Sequence, residues 1–121
     1  MEWFYDKHGQ AVFFKYDERL ISKKGENICW IFGNYVYSLK SGRHIGWFED
    51  GKIYDIENNI IAFLKNASGL PCVPGFSGTP GTPGIPGKPG TPGLGGLRGR
   101  PGYHGFSKYD ALDYFYNNKW L

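Results

Sequence analysis

The stretch HIGWFEDGKIYDIENNIIAF, residues 44–63, decides the reading of the chain. Aromatic and β-branched runs lie on both sides of Asp50-Gly51, a dipeptide that suits the mirror-type turn of a two-residue hairpin. Asn58-Asn59 closes the second run, and a third begins at Ile60. Turn formers follow one another too closely for a helix to fit between them, so strand follows strand.

Outward from that stretch the pattern repeats. A shift of 17 lays Ile28, Trp30, Val36 and Tyr37 onto Ile45, Trp47, Ile53 and Tyr54, and a shift of 16 brings Ile45, Gly46 and Trp47 onto Ile61, Ala62 and Phe63. MEWF at the start supplies a fourth unit, with Trp3 in the tryptophan position and a longer run to Asn27. Gly33-Asn34 and the His-Gly pair at residues 8–9 are its other turn candidates, and SG and NN separate the units. The residue before each anchor is Glu2, Cys29, Gly46 or Ala62, small in three of four units, as expected where strands crowd an axis. Repeated aromatic edges left open would aggregate, so the set is expected to close on itself. The fold class is all-β, a small pseudo-fourfold closed barrel of short antiparallel hairpins over residues 1–68. Trp3, Trp30, Trp47 and Phe63 are expected in equivalent places, as core first and as candidate binding residues second.

With these features the chain resembles the bacterial proteins called 4-fold β-flower proteins, in which hairpin petals surround a shallow barrel. The residues that carry the resemblance are 44–63, with their G-W, D-G and Y-D punctuation, and the fourfold spacing. The first unit departs from it, being long and without a Tyr-Asp pair after its turn. The resemblance extends to a Pro/Gly-rich spacer and to an aromatic, acidic C-terminal motif, here FSKYDALDYFY. It implies a fold and leaves activity open.

From Gly75 to Gly105 glycine stands at every third position, with Gly95 as the one extra, and proline precedes many of these glycines. That is the collagen pattern. Residues 69–106 cannot build a core and are expected to hold no regular secondary structure, their backbone met by water. Two states satisfy such a repeat: a stiff polyproline spacer and a triple helix of three chains. The spacer is the expectation, because Cys72 stands where the frame requires glycine and the triplets are few. A trimer through the tail is the alternative.

Residues 107–121 follow, with Ser107 and Asp110 at the spacing of a helix cap and Leu112, Phe115 and Tyr116 sharing a face with Tyr109. So short a helix needs a surface to rest on. Tyr109, Leu112, Phe115 and Tyr116 are therefore candidate binding residues.

Charge narrows the function classes. Residues 1–68 hold nine Lys/Arg and nine Asp/Glu, and the net +3 belongs to Lys88, Arg98 and Arg100 in the tail. The folded part has no footprint for nucleic acid. The three histidines, at 8, 44 and 104, have no partners at metal-ligand spacing, Cys29 reads as a small buried group, and no phosphate-cradling loop is present. No cofactor, metal or catalytic residue is expected, and no enzyme. Without a leader or an apolar span, the chain as given is expected in the cytoplasm, where a disulfide between its two cysteines is disfavoured. The expected function is a non-catalytic binding or scaffold module, with a C-terminal docking segment that meets its own barrel or a protein partner. Peripheral membrane contact ranks second, and a collagen-like trimeric structural protein is the remaining alternative.

Overall fold

The computed structural model describes residues 2–70, 75–78, 80–81, 83–97, 99–100, 102 and 105–116. Eight strands run in chain order: β1 (Glu2–Tyr5), β2 (Ala11–Tyr16), β3 (Arg19–Ser22), β4 (Asn27–Phe32), β5 (Tyr35–Ser38), β6 (His44–Glu49), β7 (Lys52–Tyr54) and β8 (Ile60–Leu64). Each pairs antiparallel with its neighbours, and β8 returns to β1, so the sheet closes as a barrel. One short helix, α1 (Ala111–Tyr116), lies at the C-terminal end of the described chain.

Tight turns at Asp17-Glu18, Gly33-Asn34 and Asp50-Gly51 join β2 to β3, β4 to β5 and β6 to β7. Those are three petals. The fourth has no turn, because it is made by pairing β8 with β1, the two ends of the domain. This explains the long first unit, which contains β1, β2 and β3. It also corrects the placement of Trp3. The residue equivalent to Trp30, Trp47 and Phe63 is Phe14, which faces Ile21 as they face Tyr37, Tyr54 and Tyr5. Trp3 lies on a different strand, cross-paired to Phe14. By the same correction the crowded slot before each anchor belongs to Phe13, Cys29, Gly46 and Ala62, with Phe13 rather than Glu2 as its large member. His8-Gly9 lies in a loop between petals and not at a petal tip.

Four register shifts fall at equivalent places, between Phe4/Tyr5, Leu20/Ile21, Val36/Tyr37 and Ile53/Tyr54. A bulge bends a strand and increases its twist, which lets eight short strands close on a narrow interior. Phe4, Leu20, Val36 and Ile53, with Phe13, Cys29 and Ala62, belong to the buried interior cluster. Glycine is required at 46, because a Cβ there would overlap the Tyr54 carbonyl oxygen.

The four loops between petals share one construction. Asp6 Oδ1 accepts the amides of His8 and Gln10 at 2.9 and 3.0 Å, and Asp55 Oδ1 those of Glu57 and Asn59 at 2.9 and 3.0 Å. Ser22 Oγ accepts from Lys24 and Glu26, both at 3.2 Å, and Ser38 Oγ from Ser41 at 3.3 Å. Side-chain oxygens that mimic a backbone turn stabilise such loops. Each then passes through a left-handed residue, at Gly9, Gly25, Gly42 and Asn58.

Candidate functional site

The Gly-X-Y segment runs along these four loops. Ser77 N donates to Gly9 O at 2.8 Å, and Phe76 sets its ring 4.9 Å from that of Tyr5 and 6.1 Å from that of Phe63. At the next petal Arg19 Nη1 and Asn27 Nδ2 donate to the carbonyls of Pro86 and Gly87, both at 3.1 Å, and Lys88 Nζ lies 5.9 Å over the Trp30 ring. At the third, Gly95 N donates to Gly42 O at 2.8 Å. At the fourth, the Arg100 guanidinium lies 4.5 Å over Tyr54 and 5.6 Å over Trp47, with Nε 2.6 Å from Asn58 Oδ1 and Nη1 2.6 Å from Glu49 Oε2. Burial raises the Tyr54 hydroxyl above its ordinary value, against the pull of Arg100.

The described tail residues form no helix or strand, apart from a single bridge between Phe106 and Ile60. Their backbone is nevertheless met in part by the barrel and not by water alone, which corrects the picture of a free spacer. The segment is a belt.

Past the belt the chain turns inward. Ile60 N donates to Gly105 O at 2.8 Å, Ser107 N to Ile60 O at 2.7 Å, and the buried Ser107 hydroxyl to Asp55 Oδ2 at 2.5 Å. Ser107 is thus tied to the barrel and does not cap α1. That position falls to Asp110, whose Oδ2 accepts the Asp113 amide at 3.2 Å. The face that α1 turns to the barrel differs in part from the expected one. Ala111, Tyr114 and Phe115 are buried in the barrel's interior cluster, with Tyr109 and Leu112 packed against it, while Tyr116 stays 41% exposed. Phe115 meets Phe13 edge-on at 5.6 Å. The Tyr114 hydroxyl donates to Ile45 O at 2.5 Å and accepts the Ile56 amide at 2.9 Å. Burial raises the Tyr116 hydroxyl above its ordinary value, and its oxygen lies 3.3 Å from Glu26 Oε1.

Of the residues singled out in the sequence, Trp30, Trp47 and Phe63 are therefore buried on the petals, Phe115 and the flanking Tyr109 and Leu112 close one end of the barrel, and Trp3 and Tyr116 border open grooves. The first groove, about 330 Å³, is lined by Glu2, Trp3, Tyr5, Leu64, Lys65 and Asn66 at the seam of the β8–β1 petal. The second, about 310 Å³, lies beside α1 between Glu26, Ile28, Leu39, Lys40, Phe115 and Tyr116. The contacts of Phe76, Arg100 and Tyr114 were not read from the sequence. Phe76, Lys88 and Arg100 are departures from the Gly-Pro-Thr character of the tail, and that is the signal that could have found them. Cys72, His104, Trp120 and Leu121 lie outside the described residues. His44 is buried among the rings of Tyr35, Tyr37 and Trp47. Cys29 is a free thiol whose titration burial drives far upward. Among the described residues no group of three His, Cys, Asp or Glu could hold a metal ion. Among them, too, no helix is long and apolar enough to cross a membrane.

Comparison with known proteins gives one result. The model of a family described as 4-fold beta flower protein matches residues 2–115, which takes in the barrel, the belt and nearly all of α1. Neither the curated proteins nor the solved structures contain a match.

Proposed function

The chain belongs to the 4-fold beta flower family, and on that footing we propose that it is a non-catalytic binding module whose barrel end is a socket for a short aromatic segment, filled here by its own residues 109–116. The observation that carries this reading is the pair of hydrogen bonds on Tyr114. Its hydroxyl joins Ile45 O on β6 to Ile56 N beyond β7, so the socket reads a tyrosine and not merely an apolar side chain. A tethered segment faces its site at an effective concentration of about millimolar, so a modest contact stays formed in the free chain and yields to a tighter protein partner.

The test uses the full chain and a dye-labelled peptide of residues 107–116. In a Phe115→Asp variant the socket stands free, and the peptide is expected to bind at least tenfold more tightly than it does to wild type, whose own segment competes. Failure of both proteins to bind it removes the socket. The module belongs in this reading to a bacterial cytoplasm, in keeping with the free thiol of Cys29 and no cofactor is required.

A second reading, contact with a membrane surface, draws on the open groove in which Trp3 and Leu64 stand beside Lys65. Flotation with anionic vesicles, compared between wild type and Trp3→Ala, decides it. The third, a trimer through the tail, predicts three times the single-chain mass in sedimentation.

A further inference from the structure

The belt meets the barrel in a fixed measure. Gly75 lies on Gly9, Gly84 on Gly25 and Gly93 on Gly42, so each step of nine residues along the tail passes one petal. A Cβ on Gly9 or Gly42 would overlap the carbonyl oxygen of Gly75 or Gly93, and one on Gly25 would come within 3.1 Å of the Gly84 oxygen. Nine residues are three Gly-X-Y triplets, about 28 Å of polyproline helix at ~3.1 Å per residue. A left-handed residue stands in every loop, at Gly9, Gly25, Gly42 and Asn58, and at three of the petals a belt side chain, Phe76, Lys88 or Arg100, lies against an aromatic ring of the barrel.

We propose that the outer face of each petal is a binding site for a single Gly-X-Y strand in the polyproline conformation, that three triplets are its unit, and that the barrel accepts such strands from another chain as well as from its own. The chemistry is that of proline-rich recognition elsewhere. A strand without internal hydrogen bonds presents free carbonyls, and its low conformational entropy reduces the cost of docking on aromatic rings. Here Arg19 and Asn27 donate to successive carbonyls, at Pro86 and Gly87. The barrel in turn supplies two acceptors, Gly42 O and Gly9 O, which take the amides of Gly95 and Ser77. The belt cations Lys88 and Arg100 cover Trp30, Trp47 and Tyr54. This site is separate from the socket of α1, since it lies on the outer face of the sheet.

Protease protection of the belt tests the proposal in the full chain. Wild type is expected to resist a collagenase at least tenfold better than a free peptide of residues 75–96. Gly42→Ala should remove much of that protection, because its methyl group displaces Gly93. Gly33→Ala should not, since Gly33 has a similar left-handed backbone, φ 62° against 72°, and no described atom within 4 Å of an added Cβ. Asn27→Ala, which removes the Gly87 carbonyl contact and the Arg19 Nη1 partner without backbone strain, gives a partial loss if Gly42→Ala does not fold. The arm in trans uses a full chain whose prolines 83, 86, 89 and 92 are replaced by glycine, which weakens the belt but leaves the petals intact. It is expected to bind the labelled 75–96 peptide at least tenfold more tightly than wild type. Cleavage of wild type at the rate of the free peptide, or equal exposure in Gly42→Ala and Gly33→Ala, overturns the site. Loss of the peptide arm alone overturns recognition in trans.

Discussion

The Tyr114 hydroxyl stands 2.5 Å from Ile45 O, joining residues 69 positions apart in the sequence, and 2.9 Å from the Ile56 amide. One phenol oxygen thus serves two backbone groups, one at the start of β6 and one just past β7. Tyr114→Phe keeps the ring and leaves both groups without that partner. A buried backbone group deprived of its hydrogen bond costs about 1–3 kcal/mol. At about 4–8 °C per kcal/mol for a small domain, the variant is expected to melt roughly 4 °C or more below wild type in circular dichroism. An unchanged melting temperature would mean that α1 is not held in the barrel.

The repeat glycines of the belt point away from the head. A Cβ on Gly78, Gly81, Gly87 or Gly90 would meet no described atom within 4 Å. Gly90→Ala is therefore expected to change stability by no more than about 0.5 kcal/mol, or to raise it slightly by restricting the unfolded chain. In a triple helix the same glycine lies at a crowded axis where only hydrogen fits. A large loss of stability in Gly90→Ala, read by thermal melting, would favour the trimer over the belt.

Gly46 makes the opposite case. An added methyl overlaps the Tyr54 carbonyl oxygen of the strand that follows, so Gly46→Ala must move backbone in the barrel wall. Overpacking of this kind costs about 1–3 kcal/mol. Denaturant titration should show the loss in the midpoint with an unchanged slope, since the surface exposed on unfolding stays the same.

Cys29 is fully buried and its thiol is driven far above the ordinary cysteine range by loss of solvation, only partly offset by a hydrogen bond with the Leu20 backbone. In a Cys72→Ser background, labelling by a thiol reagent at pH 8 is expected to proceed only on unfolding. The sign of the linkage follows from the same shift. Above about pH 9 the unfolded thiol ionises while the folded one keeps its proton, so the folded state binds more protons and stability falls as pH rises. Rapid labelling of the native protein would contradict the burial.

The barrel was legible in the sequence because its turns are spelled out at Asp50-Gly51 and Gly33-Asn34, and because Trp30 and Trp47 mark two petals at the same phase. The first petal was misread for a physical reason. Phe14 does the work that tryptophan does elsewhere, the true turn at Asp17-Glu18 contains no glycine, and Trp3 offers the expected residue on the wrong strand. The fourth petal has no turn to read, since it forms only when β1 and β8 meet. Helix α1 was found, but Asp110 caps it and Ser107 is drawn away to Asp55 by a contact distant in sequence. The buried face was set by the barrel: Tyr114 turns inward to the backbone of Ile45 and Ile56, contacts distant in sequence, and Tyr116 is left exposed. The belt lay further beyond reach. Its three-triplet measure has meaning only beside loops whose spacing in space no residue pattern states.

Small-angle scattering of the full-length protein tests most directly that the described residues between 75 and 100 lie on the chain's own barrel. A compact chain of this length has a radius of gyration of about 14 Å. Values near that, with the forward scattering of a single chain, are what the belt requires. A radius well above about 20 Å, from a tail standing off as a rod at ~3.1 Å per residue, or the forward scattering of three chains, would contradict it.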